Sequence, residues 1–276
     1  MGRKITPTVF LMIRCMQGIR IAWGERMKDQ PSADSATRQK DMKSNRGNVS
    51  REWPLVAECL WCSAARNDGW AALVIAGIGF TPIAALSLAL MDFCRLPIAT
   101  MLLVVPALLL AAVMIGLGCG YGSLMLRGFL MGLGAVAVYD AVRIPFTLAG
   151  WMEDFIPRIG LMLLGECEHA GVVGYLWRYL GNGGGMGMAF VCGYVLLRNK
   201  MGFLKGVSCL WCAYLFGLLV WVCLIVTLIL SPQSEKILFA ITPTSLLLSG
   251  IGHGVFGGTL GCLLSKFPCD WTSTTR

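Results

Sequence analysis

Residues 98–120 read IATMLLVVPALLLAAVMIGLGCG, twenty-three consecutive positions without a charged side chain. A helix needs roughly 20 mainly apolar residues to cross the hydrocarbon of a bilayer, and this stretch has them. Five more stretches meet the same requirement: 70–91, 125–148, 171–197, 204–230 and 237–264. Across all 276 positions, 56% of residues are hydrophobic and only 14% charged, against about 25% charged in an ordinary soluble domain. A water-soluble chain of this length could not hide so much apolar side chain, because its surface still needs polar cover. The predicted fold class is therefore all-α integral membrane, a bundle of about six transmembrane helices. Four or five spans is the alternative count, since only a short turn separates 70–91 from 98–120.

On either side of this membrane domain (residues 70–265) lie polar ends. Residues 1–69 hold twelve basic and seven acidic side chains, a surplus of five within the formal charge of +8. The high isoelectric point thus belongs to a tail. It suits anionic lipid headgroups at the bilayer surface and gives no reason to expect a nucleic-acid partner. Within the tail, residues 8–24 carry apolar groups interrupted by Arg14 and Arg20, as a surface helix would. Residues 25–52 have almost no large apolar side chain and are predicted to be a disordered linker. The first apolar run ends at Arg14 without a small-residue cleavage site, so no cleavable leader is expected. Residues 266–276 form a short C-terminal tail.

Basic residues also orient the chain. With the tail in the cytosol, Arg127, Arg198, Lys200, Lys205 and Lys266 fall on the cytosolic side too. The opposite loops hold Glu153, Asp154, Glu166 and Glu168 beside Arg95, Arg158 and Lys236. Both termini are then cytosolic, and if the host is bacterial the membrane is the inner or plasma membrane. Residues 155–165 are apolar but too short to span, and are expected to form an interfacial helix or a re-entrant loop.

Charges inside a span cost a few kcal/mol and normally face the bundle interior with a partner. The third span carries Asp140 and Arg143, three residues apart on one helix face. The fourth carries Arg178. At 1.5 Å per residue, Asp140 and Arg178 both lie roughly 10–12 Å in from the same end of their spans. One acid and two arginines at matched depth fit an interhelical bridge, or a site for an anion or proton-coupled substrate. Four glycines stand within Gly181-Asn182-Gly183-Gly184-Gly185 of the same fourth span. Each costs about 1 kcal/mol of helix propensity, so the run either unwinds around a substrate or packs closely as a small-xxx-small seam. In the sixth span Thr242, Ser245, Ser249 and His253 recur on one face. His253 could relay protons or hydrogen-bond across helices.

Two identical tetrapeptides, Cys59-Leu60-Trp61-Cys62 and Cys209-Leu210-Trp211-Cys212, are the metal candidates. Together they could supply the four thiolates of a zinc site. Apolar sequence around the second pair opposes this, because paired thiolates would be poorly solvated there. The acidic run Glu166-Cys167-Glu168-His169 reads as a solvated loop.

From Arg127-Gly128 through Tyr139-Asp140-x-x-Arg143 and the glycine-rich span to His253-Gly254-x-x-Gly257, the order of features resembles a group of uncharacterised bacterial multi-pass proteins. The resemblance covers about half the chain and implies membrane class and span order, with no activity attached.

The expected function is that of a non-catalytic membrane subunit or assembly and scaffold protein, with other membrane proteins as partners. The alternative is a small-molecule or ion transporter lining a path with Asp140, Arg143, Arg178, Asn182 and His253. No internal repeat favours the transporter. No paired carboxylate, histidine box or nucleophile–base set points to an enzyme, and no cofactor is implied.

Overall fold

The computed structural model describes residues 68–116, 121–200 and 206–266. The predicted surface helix over 8–24, the linker over 25–52, Cys59 and Cys62 lie outside these residues. Among the described residues seven helices organise the fold, with one further turn of helix at Ser234–Ile237. They are α1 (Asp68–Leu90), α2 (Leu96–Gly116), α3 (Gly122–Leu148), α4 (Ile156–Leu164), α5 (Ala170–Arg198), α6 (Cys209–Leu230) and α7 (Pro243–Ser265). All except α4 are long and apolar enough to cross a bilayer, which makes six candidate spans among the described residues. No strand occurs among the described residues. The chain is an all-α, multi-pass membrane protein.

Burial ranks the helices by position. Within its most apolar window α5 is 72% buried, whereas α2 is 22% and α6 17% buried. Thus α5 is central and α2 and α6 are peripheral. Along its length α5 packs between α1 and α3, α3 packs onto α7, α7 pairs with α6, and α2 leans on α1. The exposed faces of α2 and α6 are apolar throughout, from Met101 and Leu109 to Leu215 and Leu219. Such faces are stable only against lipid or another apolar surface.

Glycine explains how α5 fits between two neighbours. A Cβ on Gly132 of α3 would strike the Gly183 carbonyl, and one on Gly79 of α1 would strike Gly185. Gly187 presses on Gly128 and Gly132, while Gly181 lies against Pro82. The run is therefore a packing seam on both sides of α5, which lets backbones approach and add dispersion contacts. It does not unwind. Trp177–Gly185 instead forms a π-helix, in which each backbone N–H reaches one residue further back than in an α-helix. Helical hydrogen bonding continues through the glycines, so no freed backbone carbonyls face a substrate path there. A shorter π-helical segment, Thr100–Val104, interrupts α2.

Span boundaries shift by a few residues from the sequence reading, most at the start of the sixth. The sixth span begins at Pro243 rather than 237. Proline at the first helical position needs no N–H partner, and Thr242 caps the helix by accepting from the Ser245 N–H at 3.1 Å. Ser245 returns a bond, accepting from the Thr242 N–H at 3.0 Å. Thr242 and Ser245 are thus committed to starting α7, and only Ser249 and His253 remain of that polar face. Residues 155–165 contain a true helix, α4, which folds back on the start of α5. A Cβ on Gly160 would strike the Ala170 carbonyl, and one on Gly174 the Ile156 carbonyl. The loops 91–95, 149–169 and 231–242 share one end of the bundle with α4.

A buried ionic network as candidate functional site

Asp140 sits on the inward face of α3 with no exposed surface. Arg178 of α5 approaches it with Nε, donating to Oδ1 at 2.8 Å and to Oδ2 at 3.0 Å. Its Nη2 lies 2.6 Å from Oδ1 but is not aimed along a hydrogen bond, and keeps an unsatisfied donor. Arg143, one turn along α3, donates from Nε to the same Oδ1 at 3.3 Å. The Tyr179 hydroxyl also hydrogen-bonds to Asp140. This carboxylate is therefore ringed by donors from two helices. The depth matching of Asp140 with Arg178 and the i, i+3 spacing of Arg143 are both realised as contacts.

A second acid completes the set. Asp154, in the loop before α4, accepts from Arg143 Nη1 at 3.2 Å and from the Tyr175 hydroxyl at 2.8 Å. It also accepts from the Ile156 backbone N–H at 3.3 Å, at the first residue of α4. Two guanidinium groups thus face two carboxylates, and the network carries no net charge. Such balance is what low-dielectric burial requires, because an unpaired charge there is costly. Sequence reading missed Asp154, Tyr175 and Tyr179. Asp154 was counted only among the acids of the outer loops, and no spacing in the sequence tied it to Arg143.

On its far side Arg178 stacks over the Tyr139 ring, 4.3 Å from the centroid. Tyr139 meets His253 edge to face at 5.6 Å and rests on Gly252, whose missing side chain makes the room. The His253 Nδ1 lies 2.8 Å from the Ser249 carbonyl. A carbonyl only accepts, so Nδ1 carries a proton and donates it to this bond. His253 thus joins the layer through an aromatic edge and is not bonded to Asp140. Asn182 is one turn beyond Arg178, and its Oδ1 is buried without a partner, as is the Ser249 Oγ.

The remaining candidates lie elsewhere. Cys209 and Cys212 are half-buried in the first turn of α6, and Cys209 Sγ donates weakly to the Gly261 carbonyl at 3.9 Å. No group of three metal-ligating side chains occurs among the described residues. Glu166, Cys167, Glu168 and His169 are exposed.

No protein-family model, curated protein or solved structure matches the chain. Its function must be read from its own residues.

Proposed function

We propose that this protein is a non-catalytic membrane subunit or scaffold, in which Asp140, Arg143, Arg178 and Asp154 fix the register of α3, α4 and α5. The observation that carries the reading is the enclosure of Asp140: its carboxylate has no exposed surface and its oxygens are taken up by arginine and tyrosine donors. A solute could reach it only by displacing an arginine, and a neutral, paired network has no standing affinity for an ion. In this reading the basic residues 1–69 meet anionic headgroups or recruit a partner membrane protein.

A transporter is the second reading. The unpartnered polar atoms of Asn182 and Ser249 favour it, since buried donors and acceptors normally find a partner and a passing solute would supply one. Cross-linking and pull-down from native membranes test the first reading, which expects a stoichiometric membrane partner lost on removing residues 1–69. A chain recovered alone from native membranes would overturn it. Solute uptake into proteoliposomes, abolished by Asn182→Leu and Ser249→Ala without loss of protein, would establish the second.

A further inference from the structure

At the α4 end of the bundle a groove of about 500 Å³ opens between the 91–95 turn, α4 and the 231–242 loop. Its volume is within the range of small-molecule sites. The walls are fixed by bonds between segments far apart in sequence. Ser231 Oγ donates to the Leu90 carbonyl, and Arg158 Nη1 donates to the Leu238 carbonyl at 3.3 Å. Leu161, Leu164 and Ile237 supply apolar lining, while Asp92, Arg95 and Gln233 supply the polar part.

Asp92 and Arg95 have opposite charge, both are exposed, and neither forms an ion pair among the described residues. They stand in the turn between two spans, where hydrocarbon gives way to water. Phe93 beside them is 74% exposed, an apolar ring left for lipid to cover. One cation, one anion and an apolar wall at headgroup depth are complementary to a zwitterionic amphiphile. We propose that this groove binds a phospholipid with a phosphoethanolamine headgroup. The phosphate accepts from the Arg95 guanidinium, the primary ammonium donates to Asp92, and an acyl chain lies along Leu161 and Leu164.

The chemistry distinguishes this lipid from its neighbours in a membrane. A choline headgroup is fully methylated and has no N–H to give Asp92, and a glycerol headgroup has no cation. Both protein groups are exposed, so each contributes modestly, about threefold in occupancy. Asp92 has a backbone φ of 62°, a region that aspartate and asparagine tolerate better than most residues. Asp92→Asn therefore removes the charge without straining the turn.

The full chain is reconstituted in nanodiscs holding equal fractions of phosphatidylethanolamine, phosphatidylcholine and phosphatidylglycerol with identical acyl chains. Lipids retained by the protein are then counted by native mass spectrometry. Wild type is expected to enrich phosphatidylethanolamine about threefold over each competitor. Asp92→Asn should erase its advantage over phosphatidylcholine, and Arg95→Gln should lower its retention about threefold. Equal retention of the three lipids by wild type overturns the proposal. So does preferential retention of phosphatidylglycerol, or enrichment unchanged in both variants. Melting curves in lipid-free detergent should coincide for all three proteins; a drop in either variant would assign the charges a folding role and likewise refute lipid recognition.

Discussion

Removing the Asp140 carboxylate is the sharpest perturbation of the network. In Asp140→Ala, Arg143 keeps Asp154 at 3.2 Å, but Arg178 loses the only carboxylate paired with it among the described residues. The network passes from neutral to a surplus of one positive charge. Breaking a buried ion pair from one side costs about 3–5 kcal/mol. Against a folded-state stability on the order of 5–15 kcal/mol, that is enough to reduce accumulation severely. Asp140→Val with Arg178→Met takes away both charges and leaves the Arg143–Asp154 pair intact. Replacing a buried pair by apolar groups of similar volume is often neutral, so most of the loss should return. What stays lost is the Arg178 stacking on Tyr139, about 1–2 kcal/mol for a desolvated cation–π contact. The assay is membrane abundance by immunoblot, with fluorescence-detected size exclusion after graded heating, for Asp140→Ala, Arg178→Met alone and the double variant. If Asp140→Ala accumulates and melts like wild type, the carboxylate holds no buried cation and the reasoning fails.

Glycines separate into two kinds. Gly132→Ala puts a methyl group onto the Gly183 carbonyl and should cost about 1–3 kcal/mol by overpacking. Gly77→Ala and Gly193→Ala meet nothing within 4 Å and should be neutral or stabilising by up to about 1 kcal/mol in the same melts. Asp154→Asn weakens the bonds to Arg143, Tyr175 and the start of α4 together. Hydrogen exchange should rise in 150–165 while the centre of α5 stays protected, and an unchanged exchange pattern would count against Asp154 as the anchor. Maleimide labelling of intact protein should reach the exposed Cys167 and spare the buried Cys192, and the reverse order would contradict the arrangement of α5. Deleting residues 25–52 should leave the heat stability of the membrane domain unchanged, because that segment has no apolar periodicity to pack; a lowered melt would place it in the core.

Spans are legible in this sequence because lipid removes the usual ambiguity: a helix must be long, apolar and continuous, and 98–120 announces itself. Ionic partners within a span, or at equal depth in neighbouring ones, are legible for the same reason, as Asp140, Arg143 and Arg178 illustrate. The limit of that method is a partner arriving from outside the membrane. Asp154 belongs to a loop whose path depends on how α4 folds back, and no periodicity encodes that path. The π-helical form of Trp177–Gly185 was equally hidden, because glycine propensity measures the cost of a helix and says nothing of which helix close neighbours will impose. The apparent polar face of α7 misled in a simpler way. Thr242 and Ser245 fit the spacing, but Pro243 between them marked a helix start, and start residues spend their hydroxyls on the backbone.

The central position of α5 bears on the order in which the chain can be built. It has the lowest mean hydropathy of the six spans, 1.3, carries Arg178 roughly 12 Å in from its start, and contains a glycine run with little affinity for hydrocarbon. Alone in a bilayer it is the span least suited to stay. During synthesis, however, α1 and α3 precede it, and Asp140 and Arg143 on α3 can neutralise one another at i, i+3 until Arg178 arrives. The glycines of α1 and α3 then offer α5 a slot, and Asp140 offers its arginine an anion. Insertion of α5 is thus a docking event between neighbours already in place. A ribosome-bound chain ending after α5 should hold that span in the membrane only if α3 carries its aspartate.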